Sequence, residues 1–274
     1  MGQDVGRALT RREALFVLVG GLAAAAVMGS SGGYVCADES VSKEPPVRHR
    51  PKVVAFDVVE TLFALDPVRE RFKALGLPPG AMQGWFASFL RDAMALEITG
   101  VYKPFKEVAN ATLQSALARD GVEPTPDIVQ RVLAGFGELP AHPDVRPAFQ
   151  ALRDAGVRIV TLTNGSAEAT TQLLKAAKLD GFVQKMISID EVRHWKPARD
   201  VYLHAQKVTG TSAEELALVA AHAWDIQGAA SVGLTTGWVS RTEKRFPPVM
   251  QSATVSGDGL EQVVLELLKL PNAS

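Results

Sequence analysis

The chain has 274 residues, of which 47% are hydrophobic and 22% charged, and its formal net charge is -1. It is long enough to bury a full core, as one α/β domain with a sizeable insertion or as two small domains. The near-neutral balance, with no basic tract, excludes a broad nucleic-acid footprint, and the single cysteine, Cys36, excludes a disulfide framework.

The first segment reads as a targeting leader. Thr10-Arg11-Arg12 precedes an apolar run from Ala14 to Met28, and small residues lead to Val35-Cys36-Ala37. A charged start, an apolar middle and small residues at -3 and -1 describe a bacterial export signal of twin-arginine type, with cleavage expected after Ala37. The alternatives are an uncleaved anchor, for which a run of roughly 15 residues is short against the ~20 a bilayer needs, and a lipoprotein signal with Cys36 as the lipid site. Residues 1–37 are therefore assigned to the leader and 38–51, with Pro45, Pro46 and Pro51, to an exposed linker. The expected location is exported, periplasmic or extracytoplasmic, with membrane contact only through the signal.

The mature fold begins with Val53-Val54-Ala55-Phe56, a short run suited to a strand buried on both faces, followed at once by Asp57. An acid at that point lies at the carboxyl edge of a parallel sheet, where open α/β folds keep their ligands. Taken alone, Asp57 reads equally as a turn acid or helix cap. Helical patterns then follow from Asp66-Pro67, read as an N-cap with proline at the first helical position, to Gly76, from Met82 to Ile98, from Pro104 to Arg119, and from Thr125-Pro126 to about Phe136. Four helices exceed a plain crossover, so residues 66–139 are read as an inserted cap. Its face carries Trp85, Phe86, Phe89 and Arg91; the aromatics fit an ordinary buried stripe.

From Pro143 strands and helices alternate. Helix Val145–Ala155 leads to strand Val157–Leu162, Thr163-Asn164-Gly165-Ser166 and helix Ala167–Ala177, with Ser166 as its cap. Strand Val183–Ile189, then Lys196-Pro197 and a helix around Tyr202 come next. Ser212 and Glu215 suggest a capping box for a short helix. Strand Leu216–Ala221 ends near His222-Ala223-Trp224-Asp225, and strand Thr235–Val239 and helix Leu260–Leu268 complete the pattern. The expected fold class is α/β, a doubly wound parallel sheet with an inserted helical cap, its core formed by 52–65 and 140–274. Three later segments repeat the order of apolar run, polar residue and helix, so Asp57, Thr163-Asn164, Lys196 and Asp225 converge at one sheet edge. That convergence selects Asp57 as the candidate nucleophile.

The strings FDVVETLF, LTNGS, SIDEVRHWKPARDVY and AHAWDIQGA occur in the order found in the haloacid dehalogenase superfamily, and between about 52 and 241 the chain resembles its type II L-2-haloacid dehalogenase branch. The resemblance implies a Rossmann-like core with a helical cap between the first and second motifs. It implies that Asp57 attacks the carbon bearing halogen and that water then cleaves the resulting ester. Lys196 would keep Asp57 and Asp225 ionised, and Asp225 would orient or deprotonate the water. Thr163 and Asn164 would hold an anion, and the Asn164 amide with a cap arginine, for which Arg91 is the candidate, would assist the departing halide. Tyr202 matches a family tyrosine near the lysine. The residues by themselves also read as a surface lysine, a helix-capping Asp225, an Asn164-Gly165 turn, a solvated Arg91 and a core Tyr202. The implied partner is a small molecule, a 2-halocarboxylate attacked with inversion. Dimers are common in that branch, so the resemblance leaves a homodimer open, and no stretch marks an interface.

The departures narrow the chemistry. Superfamily phosphatases carry a second Asp where this chain has Val59, which cannot protonate a leaving alkoxide. The dehalogenases usually have tyrosine then glycine where Val59 and Glu60 stand, and Ser-Ser-Asn where Ala220-Ala221-His222 stand. His222 would hydrogen-bond Asp225, act as a base or pack as structural support, the last being favoured. Glu60 would add a carboxylate near the pocket or pair with a cap residue. No cofactor or metal is expected on the dehalogenase route. Mg²⁺ enters only in the alternative, phosphoryl transfer, held by Asp57, the Val59 carbonyl and Asp225. A non-catalytic binding protein on the same scaffold is the third reading.

Overall fold

The computed structural model describes residues 48–272, and the leader with Cys36 and the start of the linker lie outside them. The described residues belong to one compact unit. Strand β1 (Val53–Phe56) is followed by helices α1 (Asp66–Ala74), α2 (Ala81–Ile98), α3 (Phe105–Arg119) and α4 (Pro126–Leu133), with a 3₁₀ turn at Ala134–Gly137. Alternation then gives α5 (Val145–Asp154), β2 (Arg158–Thr163), α6 (Ala167–Ala176), β3 (Val183–Ser188), α7 (Arg199–Thr209), β4 (Leu216–Ala220), α8 (Ala223–Ser231), β5 (Thr235–Val239), β6 (Val255–Gly257) and α9 (Leu260–Lys269).

The six strands form one parallel sheet in the order β3-β2-β1-β4-β5-β6. All residues of β1, β4 and β5 are buried, which is why they read as unbroken apolar runs rather than alternating ones. The chain winds outward from β1 to β3, then crosses back to β4 beside β1. The β1–β4 boundary is thus the switch point, and a crevice opens there at the carboxyl ends of the strands. Phe56 from the central strand packs on Phe149 of α5, with ring centroids 5.1 Å apart.

Local signals hold at most helix ends. The Ser166 hydroxyl accepts from the Ala169 N–H at 3.1 Å and the Thr125 hydroxyl from Ile128. Three sequence readings are corrected. Asp66 is the first residue of α1, not its cap; Leu65 caps it, because Pro67 fits within the first turn. Ser212 and Glu215 open no helix: after Gly210 ends α7 at φ +65°, too few residues remain before β4, and they form a turn in which the Ser212 N–H donates to the Glu215 carboxylate. Strand β6 went unread, since Val255-Ser256-Gly257 is too short for a periodic signal; it is tied to β5 through Thr254 and Thr236.

Candidate active site

The site is built at the switch point. Asp57 follows β1, and its backbone N–H donates to the Val219 carbonyl of β4 at 3.0 Å, so the central pair of strands fixes its position. Its carboxylate is 7% exposed as a residue and both oxygens are held. Oδ1 accepts from Lys196 Nζ at 3.2 Å, and Oδ2 accepts from the Thr61 hydroxyl at 2.7 Å. Thr61 in turn accepts from the Ala221 N–H at 2.9 Å, tying the nucleophile loop to the end of β4. Sequence reading missed Thr61. Its signal was a hydroxyl four residues beyond the acid, on the inner side of the same turn.

Lys196 is fully buried between two carboxylates, 2.7 Å from Asp225 Oδ2. Burial pulls its pKa down, but the charges of Asp225 and Asp57 more than offset this and leave the ammonium above the ordinary lysine value. Lys196 is therefore a cation in this site, not a surface lysine. Its loop is pinned from both sides: its N–H donates to Asn164 Oδ1 at 3.1 Å, and Glu97 at the end of α2 accepts from the Trp195 N–H at 2.7 Å and contacts His194 Nδ1 at 2.8 Å.

Asp225 lies in the first turn of α8 and is wholly buried. Oδ1 accepts from the Tyr202 hydroxyl at 2.6 Å while Oδ2 takes Lys196. Burial and the charge of Asp57 push its pKa up, against Lys196 and Tyr202, which favour its charged form. Burial, then Asp225, holds the Tyr202 phenol far above its usual value, so it stays a donor. Tyr202 is thus not a substrate contact. It sits behind Asp225 and fixes it.

The open space is a narrow cavity of about 20 Å³, room for about one water. Asp57, Val59, Thr163, Asn164, Gly165, His222 and Trp224 line it from the core as its lower wall, and Phe86, Leu90 and Phe105 roof it from the cap helices. Asp225 and Tyr202 do not reach it. The Thr163 hydroxyl accepts from the Gly165 N–H at 2.9 Å, shaping the turn before α6. Because Asn164 Oδ1 is taken by Lys196 N–H, its amide nitrogen is the end left to donate. A second, largely apolar cavity of about 690 Å³ lies against α3, α4 and α6, and Val59, Phe105 and Thr163 line both spaces.

Arg91 is corrected. Its side chain is 72% exposed and paired with Asp92 at 2.7 Å. Phe86 and Leu90, four residues apart on α2, share the inward face, and one further residue turns Arg91 to solvent. His222 does not bond Asp225. Its Nε2 lies 3.0 Å from Glu60 Oε2, and its ring stacks on Trp224 with centroids 5.5 Å apart. Glu60 therefore pairs with the core, not with the cap. Burial lowers the His222 pKa, but Glu60 first, then Asp57 and Glu243, raise it above the ordinary value. Glu243, in the tail where the sequence offered little, accepts from the Ala223 N–H at 2.9 Å at the start of α8.

A cation held by Asp57 and Asp225 does not fit this donor set. Both Asp225 oxygens are engaged away from the cavity, an ammonium already bridges the two acids, and Val59 adds no carboxylate. Among the described residues no cluster of three or more His, Cys, Asp or Glu is placed to hold a metal.

What the arrangement offers is a carboxylate fixed on both oxygens, beside a cation and an amide donor, under an apolar roof. The family described as haloacid dehalogenase-like hydrolase matches residues 51–233. Haloacetate dehalogenase H-2 of Moraxella sp. (strain B) is 24% identical over 217 residues, 78% of this chain and 96% of that one. (S)-2-haloacid dehalogenase 1 of Pseudomonas sp. (strain CBS-3) is 31% identical over 160 residues, 58% of this chain and 70% of that one. In fold, the L-2-haloacid dehalogenase of Xanthobacter autotrophicus, whose structure carries covalently bound chloropropionic acid, superimposes with a TM-score of 0.73 at 21% identity, over 80% of this chain and 99% of that one. With a match that runs from the strand before Asp57 to beyond α8, the chain belongs to the haloacid dehalogenase-like hydrolases.

Proposed function

We propose that the protein hydrolyses the carbon–halogen bond of a small 2-halocarboxylate through an ester on Asp57. The observation that carries this is the fixing of Asp57 at the cavity wall, with Lys196 on one oxygen and Thr61 on the other. An oxygen of Asp57 attacks C2 of the substrate, the C–X bond breaks, and halide leaves as a stable anion with inversion at carbon. Water then adds to the Asp57 carbonyl carbon, and the 2-hydroxy acid departs. Lys196 holds the nucleophile through a charge-assisted hydrogen bond, and Asp225, itself held by Tyr202, keeps Lys196 in place. With Arg91 turned outward, the Asn164 amide and the electropositive edges of the roof aromatics receive the halide.

A cavity with room for one water is too small for a haloacid, so the substrate enters by displacing part of the roof. Phe105, the cap residue among the three that line both spaces, is the side chain we expect to move. The names of the relatives support the reaction class, and the donor set speaks against the magnesium phosphatase alternative. Purified protein is expected to release halide from 2-chloropropionate or haloacetate, with one enantiomer of the former preferred. Turnover of phosphate esters with magnesium and none of haloacids would reverse the assignment. Export is proposed from the Thr10-Arg11-Arg12 leader alone. Fractionation with amino-terminal sequencing tests it, and a mature chain beginning at Asp38 is expected.

A further inference from the structure

The second half of the reaction needs a base beside the Asp57 ester, and Asp225 is badly placed for it: wholly buried, off the cavity, both oxygens engaged. His222 is the titratable neighbour that does line the cavity with Asp57. Its Nε2 faces Glu60 at 3.0 Å, so the neutral ring carries its hydrogen there and leaves Nδ1 as the lone-pair nitrogen, which bonds no other described residue. Glu60 holds this position at φ +65°, a left-handed backbone region that glycine adopts freely and glutamate uncommonly, and strain of that kind persists where the surroundings demand it. A glycine would satisfy the turn; a glutamate there adds only the carboxylate that meets His222.

We propose that Glu60 and His222 form a base dyad that activates the water cleaving the Asp57 ester. This rests on the dehalogenase reading and assigns its second step. Nδ1 of His222 takes a proton from water as the water oxygen bonds the Asp57 carbonyl carbon. The tetrahedral adduct then breaks its bond to the substrate oxygen, which receives that proton from the imidazolium. Asp57 is left as a carboxylic acid that loses its proton to solvent. Glu60 fixes the tautomer and stabilises the imidazolium, the part played by the third member of a hydrolase triad. The charged groups acting on His222 are Glu60 on the β1 loop, Asp57 at its base and Glu243 beyond β5, all acidic, with the Lys196 ammonium on the far side of Asp57.

The test is rapid-quench kinetics with 2-chloropropionate on the full-length protein. His222→Asn is expected to release the first equivalent of halide per site at the wild-type rate, then turn over about 100-fold more slowly. Mass spectrometry of the quenched variant should find the substrate adduct on the peptide containing Asp57. Glu60→Gln should slow steady-state turnover about 10-fold and move the acidic limb of kcat to lower pH, because the histidine loses the carboxylate that raises it. Unchanged turnover in His222→Asn, or loss of the burst along with the adduct, would overturn the dyad. Should that variant fail to fold, an unmoved acidic limb in Glu60→Gln overturns it equally. Wild-type protein that forms neither halide nor adduct sinks the dehalogenase reading instead, and the dyad with it.

Discussion

The lower and upper walls of the cavity are built on different principles. Below, Asp57 forms the wall and is backed by Lys196, Asp225, Tyr202 and Thr61 in a chain of hydrogen bonds between 2.6 and 3.2 Å. Above, Phe86, Leu90 and Phe105 come from α2 and α3 and are held by ring contacts, such as Phe89 on Phe105 at 4.8 Å and Phe105 on Phe136 at 5.3 Å. Directional bonds in a dry interior allow one arrangement, and any unpaired member is costly. Ring packing is non-directional and tolerates rearrangement. The lower wall is fit to do chemistry, and the upper wall is fit to move and to admit.

If that division is right, changes below should cost most. Asp57→Asn should reduce halide release by roughly 10⁴-fold or more, since the variant lacks the attacking group. A residual rate near wild type would place the nucleophile elsewhere. Lys196→Met is next, because it strands two acids in a buried site. Breaking a buried pair of this kind costs about 3–5 kcal/mol, read as a fall in urea midpoint. The pH dependence has a definite sign. Lys196 sits above its ordinary value, so its stabilising contribution is complete below roughly pH 10.4 and fades as pH rises past the folded value. The wild type should therefore lose stability in strong alkali along a limb that Lys196→Met lacks.

The same division explains what could be read without coordinates. Asp57, Thr163 and Asp225 were legible because each stands at or just past the end of an apolar run, and a parallel sheet brings such ends to one edge, whereas Lys196, in the charged loop beyond β3, was singled out by the family motif. The cap helices were legible as helices, from glycine stops at Gly76, Gly100 and Gly121, all with positive φ. Which side of α2 faces the cavity was not, since Leu90 and Arg91 differ by one step and only packing sets the phase. Nor could sequence pair Glu60 with His222 across 162 positions, or Glu97 with the Trp195 backbone across 98, because side-chain pairs at such separation leave no local periodicity.

Smaller tests probe the support behind the lower wall. A Cβ at Gly228 would lie 2.4 Å from the Tyr202 hydroxyl and 2.7 Å from Pro197. Gly228→Ala should push Tyr202 off Asp225 at a cost of about 1–3 kcal/mol by overpacking. Turnover should fall with it, although no atom of the cavity wall has changed. Stability lost with full turnover would show that Tyr202 serves packing only. In the upper wall, Phe105→Ala should join the two cavities and raise kcat/KM for 2-bromohexanoate relative to 2-chloropropionate by about 10-fold, the scale of a few methylenes in an apolar pocket. An unchanged ratio would mean that Phe105 does not divide them.

The weakest effect is expected at Arg91, and it tests the comparison most directly. The resemblance implied an arginine over the halide, whereas here the side chain is exposed and paired with its neighbour Asp92. Arg91→Ala should leave stability within about 0.5 kcal/mol, as for other surface sites, and leave the rate of halide release unchanged at all substrate concentrations. A loss of activity at normal stability would require α2 to turn about 100°, one residue's rotation, to carry Arg91 over Asp57 during turnover. That rotation would bury the guanidinium where Leu90 now packs and expose Leu90 in its stead. Tryptophan fluorescence from Trp85, on the same helix, would then change on substrate binding in the wild type and fail to change in Arg91→Ala.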